Sequence, residues 1–453
     1  MKWAALLLFF LVGIGLTFAI RKDPRATLVA AFALGFLPFV LGPWHLLVAP
    51  YSLPGWPGYV KGWEVSLIDA IAVASVIGIP RSRSELPFKN VFLLYIASTV
   101  VSSFFAPDLK IAISYSLQLA RIFLVFVAVA RLSSAPLSLK ATLQGLFLGL
   151  AFQAAMAIWA RLGGAIQTGG SFGHQNALGF VSHLVFLPAF GLLLSGRWNR
   201  LAIVGLLSGA VVITLTVSRA TIVFAVIGLF VTYLLSAASN WSTRKGVVAL
   251  VTAAMIGLSF PLIQATFEQR FEAKGGSFTN PDEERKAFHS AARMMIKDYP
   301  FGVGANYYVV FANTQGYNHR AGVAWQSTSR STNVHNSYLL IHAETGFLGI
   351  FSIILLLSTV VYSSVLFAIR NRRDPKANLL IGIVGAIVAV ILHSFYEWML
   401  VTHQTQYVLA VALGMAAGLI RQFKSADNDR KAKLRSREHD RRGLRPQAEG
   451  VVR

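Results

Sequence analysis

Runs of about twenty apolar residues recur along most of this 453-residue chain, and no other feature restricts its folding so tightly. A helix needs roughly 20 such residues to cross the hydrocarbon of a bilayer, where every backbone polar group must be bonded internally. The runs fall at 3–20, 26–49, 64–80, 88–106, 111–130, 139–162, 177–195, 200–218, 220–239, 246–263, 337–369, 377–398 and 404–420. They predict an all-α polytopic integral membrane protein with 12–13 transmembrane helices. Composition agrees, with 55% hydrophobic and 13% charged residues, where soluble domains carry about a quarter charged. The opening stretch "MKWAALLLFFLVGIGLTFAI" has no small-residue cleavage site and reads as an uncleaved first span, a signal anchor being the competing assignment. The absence of cysteine removes disulfides and thiolate metal sites.

The pattern divides the chain into N-terminal spans over 1–263, a large polar loop over 264–336, C-terminal spans over 337–420 and a basic tail over 421–453. Lys and Arg set the orientation, because basic connections stay on the cytoplasmic side. One set of connections is rich in them: Arg21, Lys22 and Arg25; Arg81, Arg83 and Lys89; Arg131 and Lys140; Arg197 and Arg200; Arg244 and Lys245; Arg370, Arg372, Arg373 and Lys376. The alternate connections hold little beyond Lys61, Lys110 and Arg161. The tail is then cytoplasmic and is expected to be disordered, an orientation signal that touches anionic lipid and not a nucleic-acid-binding arm. The large loop falls on the outer face, where amphipathic helices are expected within it.

Four polar constellations gather on that face. In "GGSFGHQNALGF", Gly169 to Phe180, glycines permit an irregular backbone, and His174 and Asn176 stand at the mouth of a span. Asn176 also suits a helix cap. In "TLTVSRATIVF", Arg219 lies between two apolar runs with no loop around it, which requires a sharp hairpin or a broken helix. An arginine near the membrane core usually has a partner or a task, snorkelling to the interface being the plain alternative. In "EERKAFHSAARMMIKDYPFGVGANYYVVF", Phe288, Ala291, Ala292, Met295 and Ile296 make one helical stripe, Arg285 sits near its start, and Pro300, Gly302 and Gly304 form a turn. In "STNVHNSYLLIHAETGFLGI", His335 and Asn336 enter the next span. His342, seven residues on, shares the face of His335, and Glu344 points nearly opposite. That spacing is too long for a close histidine pair, and no metal site is expected. Asp69 and Arg121 are a further candidate buried pair, read as structural.

Two arginines and a histidine on the outer face suit an anionic lipid headgroup. Guanidinium forks onto phosphate oxygens and stays charged in a partly dry site. A histidine near neutrality takes a proton from an attacking hydroxyl. Arginine charge stabilises a departing pyrophosphate in place of a divalent cation, and no Asp-rich motif on that face offers to hold one.

Together these stretches resemble the superfamily of O-antigen ligases and Wzy-type polymerases, bacterial envelope glycan transferases. "GSFGHQNALG" is similar to its Gly-aromatic-x-His-x-Asn-x-x-Gly element, "TVSRATIVF" to its Ser-Arg junction, "ERKAFHSAARMMIKDYPFGVG" to its loop arginine before a Pro-x-Gly-x-Gly turn, and "NVHNSYLLIHAETGFLGI" to its His-Asn-x-Tyr-x-x-x-x-x-Glu-x-Gly element. The resemblance covers roughly residues 110 to 420. It implies a GT-C-like fold, an undecaprenyl-diphosphate-linked glycan donor, an acceptor such as lipid A–core or another glycan, and a site facing the periplasm from the inner membrane. It implies that Arg219 and Arg285 hold the diphosphate and that His335 activates the acceptor. His174, Asn176, Asn336, Arg320 and Arg330 complete the candidate substrate-binding set, Arg320 or Arg330 standing as alternatives to Arg285. Phe288 lies where the family commonly has Trp after the loop arginine. The expected activity is inverting, metal-independent glycosyl transfer without a cofactor, by a ligase or polymerase rather than a protein O-glycosylating enzyme. A flippase or transporter of the same lipid-linked saccharide is the alternative. Polar residues clustered at one end of the spans, with no internal repeat, weigh against it.

Overall fold

A computed structural model describes residues 2–80, 84–272 and 281–443. The expected cytoplasmic residues Arg81 and Arg83, part of the large loop and the end of the tail lie outside them. Helices α1 (Lys2–Lys22) and α2 (Pro24–Phe36) precede a two-stranded antiparallel hairpin of β1 (Leu47–Ser52) and β2 (Gly62–Ser66). Then come α3 (Leu67–Gly78), α4 (Lys89–Ser103), α5 (Leu109–Leu132), α6 (Pro136–Leu162), α7 (Gln175–Ser195), α8 (Asn199–Leu215), α9 (Arg219–Ser239) and α10 (Thr243–Glu272). The loop carries α11 (Pro281–Asp298) and three short helices, α12 (Tyr308–Thr314), α13 (Tyr317–Arg320) and α14 (Ser327–Arg330). The chain returns to the bundle with α15 (Ser337–Arg370), α16 (Lys376–His393) and α17 (His403–Gly443).

Among the described residues nine helices are long and apolar enough to cross a membrane, and Pro24–Phe39, Leu67–Gly78 and Arg200–Leu215 are shorter apolar helices. Each of the thirteen apolar runs contains a helix, so the all-α polytopic architecture stands. Three details differ from expectation. The run 26–49 is not one span: α2 stops at Phe36, a 3-10 turn covers Leu37–Phe39, and the chain leaves as β1. Pro38 removes a backbone donor there, and Pro43 blocks any return to helix. The hairpin that follows was not foreseen. Finally, α17 runs on from its apolar part into the basic tail as far as Gly443, where irregular chain was expected.

The core is built around α7, which is buried along nearly its whole length. It packs on α16 through small residues: a Cβ on Gly191 would lie 2.2 Å from the Asn378 carbonyl oxygen, and one on Gly382 would lie 2.6 Å from that of Leu187. Between helices in lipid there is no hydrophobic drive to associate, and close backbone approach of this kind supplies the packing. α9 closes on the same pair, so the starts of α7 and α9 and the end of α16 share one end of the bundle.

The loop plugs into α15 at a kink. Gly346 adopts φ 63°, ψ −165°, a conformation that side-chain-bearing residues rarely reach, and it interrupts the helical path. The Ala343 and Glu344 carbonyls then accept from Val303 N (3.1 Å) and Gly304 N (2.9 Å), and Phe347 N donates to the Pro300 carbonyl at 3.0 Å. "PFGVG" and "ETG" are thus two halves of one joint. The buried Glu344 side chain completes it, accepting from Tyr308 N at 2.8 Å and from the Tyr59 hydroxyl at 2.5 Å.

Candidate active site

The site is assembled on a residue the sequence did not single out. Glu397 lies in the turn between α16 and α17, its side chain 2% exposed. Its Oε1 accepts a short hydrogen bond from Asn176 Nδ2 and faces Arg285 Nη2 at 3.4 Å, and its Oε2 lies 3.1 Å from His335 Nδ1. One buried carboxylate therefore joins α7, the loop helix α11 and the entrance to α15. Burial pushes its pKa up, but the His335 hydrogen bond and the charges of His335, Arg285 and His174 outweigh this and hold it below the ordinary carboxylate range.

Local sequence explains how each partner arrives. His174 follows Gly173, whose φ of 72° suits glycine, and its extended backbone makes it the N-cap of α7, with Nδ1 accepting from Asn176 N at 3.2 Å. The cap is thus the histidine, and Asn176, expected to cap, instead turns its side chain to Glu397. Arg285 precedes Phe288 by three residues on α11, and Phe288, Ala291, Ala292 and Met295 are buried as the stripe predicts. Asn336 caps α15, its Oδ1 accepting from Tyr338 N (2.9 Å) and Leu339 N (3.0 Å). His335 therefore falls just outside the helix, and the shared face expected with His342 does not exist. Ser337 fixes this entrance to the turn bearing Glu397: its N–H donates to the Ser394 and Glu397 carbonyls, and its hydroxyl donates to the latter at 2.7 Å. The Phe288 ring meets the His335 ring edge-on at 6.1 Å.

Arg219 is the first residue of α9, after a three-residue turn from α8 in which Val217 holds φ 49°. A positive φ at a buried β-branched residue is strained, and it appears where the sequence demanded a sharp hairpin. Ser218 caps α9, accepting from Thr221 N at 3.3 Å, and Thr221 packs on Gly179, one turn after Asn176. Five residues into α9, the Phe224 ring lies 5.6 Å from Tyr396, the neighbour of Glu397. Arg219, exposed, is thereby at the same end of the bundle as Glu397, Arg285 and His335.

Arg320 ends α13 and Arg330 ends α14, where the neighbouring Ser329 donates to Glu284, the neighbour of Arg285. Arg320 stacks over Tyr317 at 4.4 Å. Arg330 stacks over Trp325 at 4.2 Å and donates to the Val323 carbonyl at 2.9 Å. Of the three candidate loop arginines, Arg285 is the one that meets Glu397 beside His335. Asp69 and Arg121 pair at 2.9 Å as expected, within a separate cluster with Glu64 and Tyr407.

Glu397 was hidden inside the apolar run 377–398, where it read as part of a span. A lone acid in "HSFYEWML" was the available signal, since a carboxylate at the end of an apolar run is rare without a function. No curated protein matches the chain. Residues 203–354 match the O-antigen ligase family, Wzy_C, a segment that includes Arg219, Arg285 and His335 but neither Asn176 nor Glu397. The chain is thus a multi-pass membrane protein in which residues 203–354, about a third of its length, are similar to the O-antigen ligase family.

Proposed function

We propose that the protein is a glycosyltransferase of the bacterial inner membrane, working on its periplasmic face, that moves a glycan from a polyprenyl diphosphate to an acceptor hydroxyl. The observation that carries this is the meeting of Arg285 and His335 on buried Glu397, both drawn from the matched segment, at the end of the bundle where α9 presents Arg219. Arg285 and Arg219 grip the diphosphate, with His174 and Asn176 shaping the entrance. Glu397 accepts from His335 Nδ1, which leaves Nε2 with its lone pair toward the acceptor. Nε2 takes the hydroxyl proton as the new C–O bond forms at the anomeric carbon. The bond to the diphosphate breaks on the opposite side, inverting the centre, and the arginines hold the charge that develops.

The test is to give purified protein a lipid-diphosphate glycan with lipid A–core, a second glycan chain or a peptide hydroxyl as acceptor, with and without EDTA. Glycosidic bond formation that survives EDTA, with one of the first two acceptors, is expected. Movement of the lipid-linked sugar between leaflets with no bond formed would instead establish a transporter.

A further inference from the structure

The end of the bundle opposite Glu397 holds a cavity of about 480 Å³, walled by Arg21 at the end of α1, by residues 76–80 at the end of α3 and by Arg131 at the end of α5. Close packing forms this corner: a Cβ on Gly78 would lie 2.9 Å from Ile20 Cγ2, so α1 and α3 meet with Arg21 at their junction. The last carbonyls of a helix have no intrahelical donor. Here Arg131 Nη1 donates to the Val76 carbonyl at 2.6 Å and Arg21 Nη2 to the Ile77 carbonyl at 3.4 Å. These contacts fix both guanidinium groups at the wall, and a guanidinium carries five donors in all. No carboxylate is among the described lining residues. Asp23, the acid nearest Arg21 in sequence, caps α2 by accepting from Arg25 N at 2.7 Å. Buried Arg421 adds a third guanidinium to this region: its Nε donates to Ser84 Oγ at 3.0 Å, and its neighbour Gln422 donates to the carbonyl of Ser133, two residues past Arg131. About 27 Å of α17 separates His403 from Arg421, so the cavity is distinct from the site at Glu397.

We propose that this cavity binds the phosphate of an anionic phospholipid in the leaflet opposite the transfer site, the cytoplasmic one in the orientation proposed above. Guanidinium groups already held in place match phosphate oxygens, and the lining offers no acid to compete for them. The neighbouring surface marks the phosphate as a lipid's. Ile14 and Phe18 precede Arg21 on one face of α1, Val73 precedes Ile77 by one turn of α3, and all four are exposed apolar side chains along which acyl chains can lie. A zwitterionic headgroup brings its ammonium toward the same arginines and is disfavoured. At this corner the basic residues that orient the chain thus also form a discrete lipid site.

Full-length protein, stripped of lipid in detergent, is titrated with phosphatidylglycerol and with phosphatidylethanolamine of the same acyl chains, and dissociation constants are read by native mass spectrometry. Wild type is expected to prefer phosphatidylglycerol by about tenfold, the scale of one to two basic residues acting on a headgroup charge. The double variant Arg21→Gln/Arg131→Gln keeps amide donors for the two carbonyls and removes the charges, and it should bind both lipids alike. Arg372→Gln/Arg373→Gln removes the same charge from the α15–α16 connection and should keep the preference. Equal wild-type binding of the two lipids, a comparison that needs no variant to fold, overturns the inference. So does a preference that survives in Arg21→Gln/Arg131→Gln, or one that Arg372→Gln/Arg373→Gln abolishes. Displacement of phosphatidylglycerol by inorganic phosphate would make a soluble anion the ligand and overturn the lipid assignment.

Discussion

At the scale of single residues, Glu397 ties the site together. A carboxylate removed from water stays ionised only where opposite charge and hydrogen bonds compensate it, and here Arg285 supplies the charge while Asn176 and His335 donate to it. Its pKa is depressed, so its contribution to stability is complete above the ordinary value of 4.5 and is lost as pH falls through the lowered one. Thermal stability should accordingly hold from neutrality to about pH 5 and decline below, and Glu397→Gln should flatten that decline. In a transfer assay Glu397→Gln should lower the maximal rate by about 10²-fold, the scale of a mispositioned general base. Without the carboxylate the imidazolium loses its stabilising partner. Arg285 and His335 were legible in the sequence because each stands out against an apolar or amphipathic background. Glu397 was not, because its partners come from three distant segments and only tertiary packing shows that it has them.

Among the elements, the joint between loop and α15 sets the position of the chemistry. Gly346 carries a positive φ, and a Cβ there would approach the Phe301 backbone carbon to 2.3 Å. Gly346→Ala should therefore displace the "PFGVG" turn, adding a backbone penalty of roughly 1–3 kcal/mol to the steric clash. Transfer should fall while insertion is normal, and limited proteolysis should cut the loop faster than in wild type. Unchanged protection would mean that the joint does not hold the loop. The helices themselves were readable from apolar length, and α11 from its stripe. The β1–β2 hairpin was not, because its residues are apolar enough to extend a span, and only the prolines at 38 and 43 argued otherwise. The pairing of "PFGVG" with "ETG" was equally hidden, since each looks like an ordinary local turn.

For the whole molecule, the proposed reaction requires that the loop and the helix ends around Glu397 face outward and that α17 end in the cytoplasm. The chain has no cysteine, so single introduced thiols report without background. Ser290→Cys on the exposed side of α11 should react with a membrane-impermeant maleimide once the outer membrane is opened, and Ser425→Cys in the exposed part of α17 only after the inner membrane is lysed. The reverse pattern would invert the topology and put the site on the wrong face for a periplasmic reaction. The most direct measurement is the rate of glycosidic bond formation by His335→Ala beside wild type, in membranes holding equal amounts of inserted protein. A loss of at least about 10²-fold is expected for a missing general base. His335→Ala working at the wild-type rate would contradict the account at its centre.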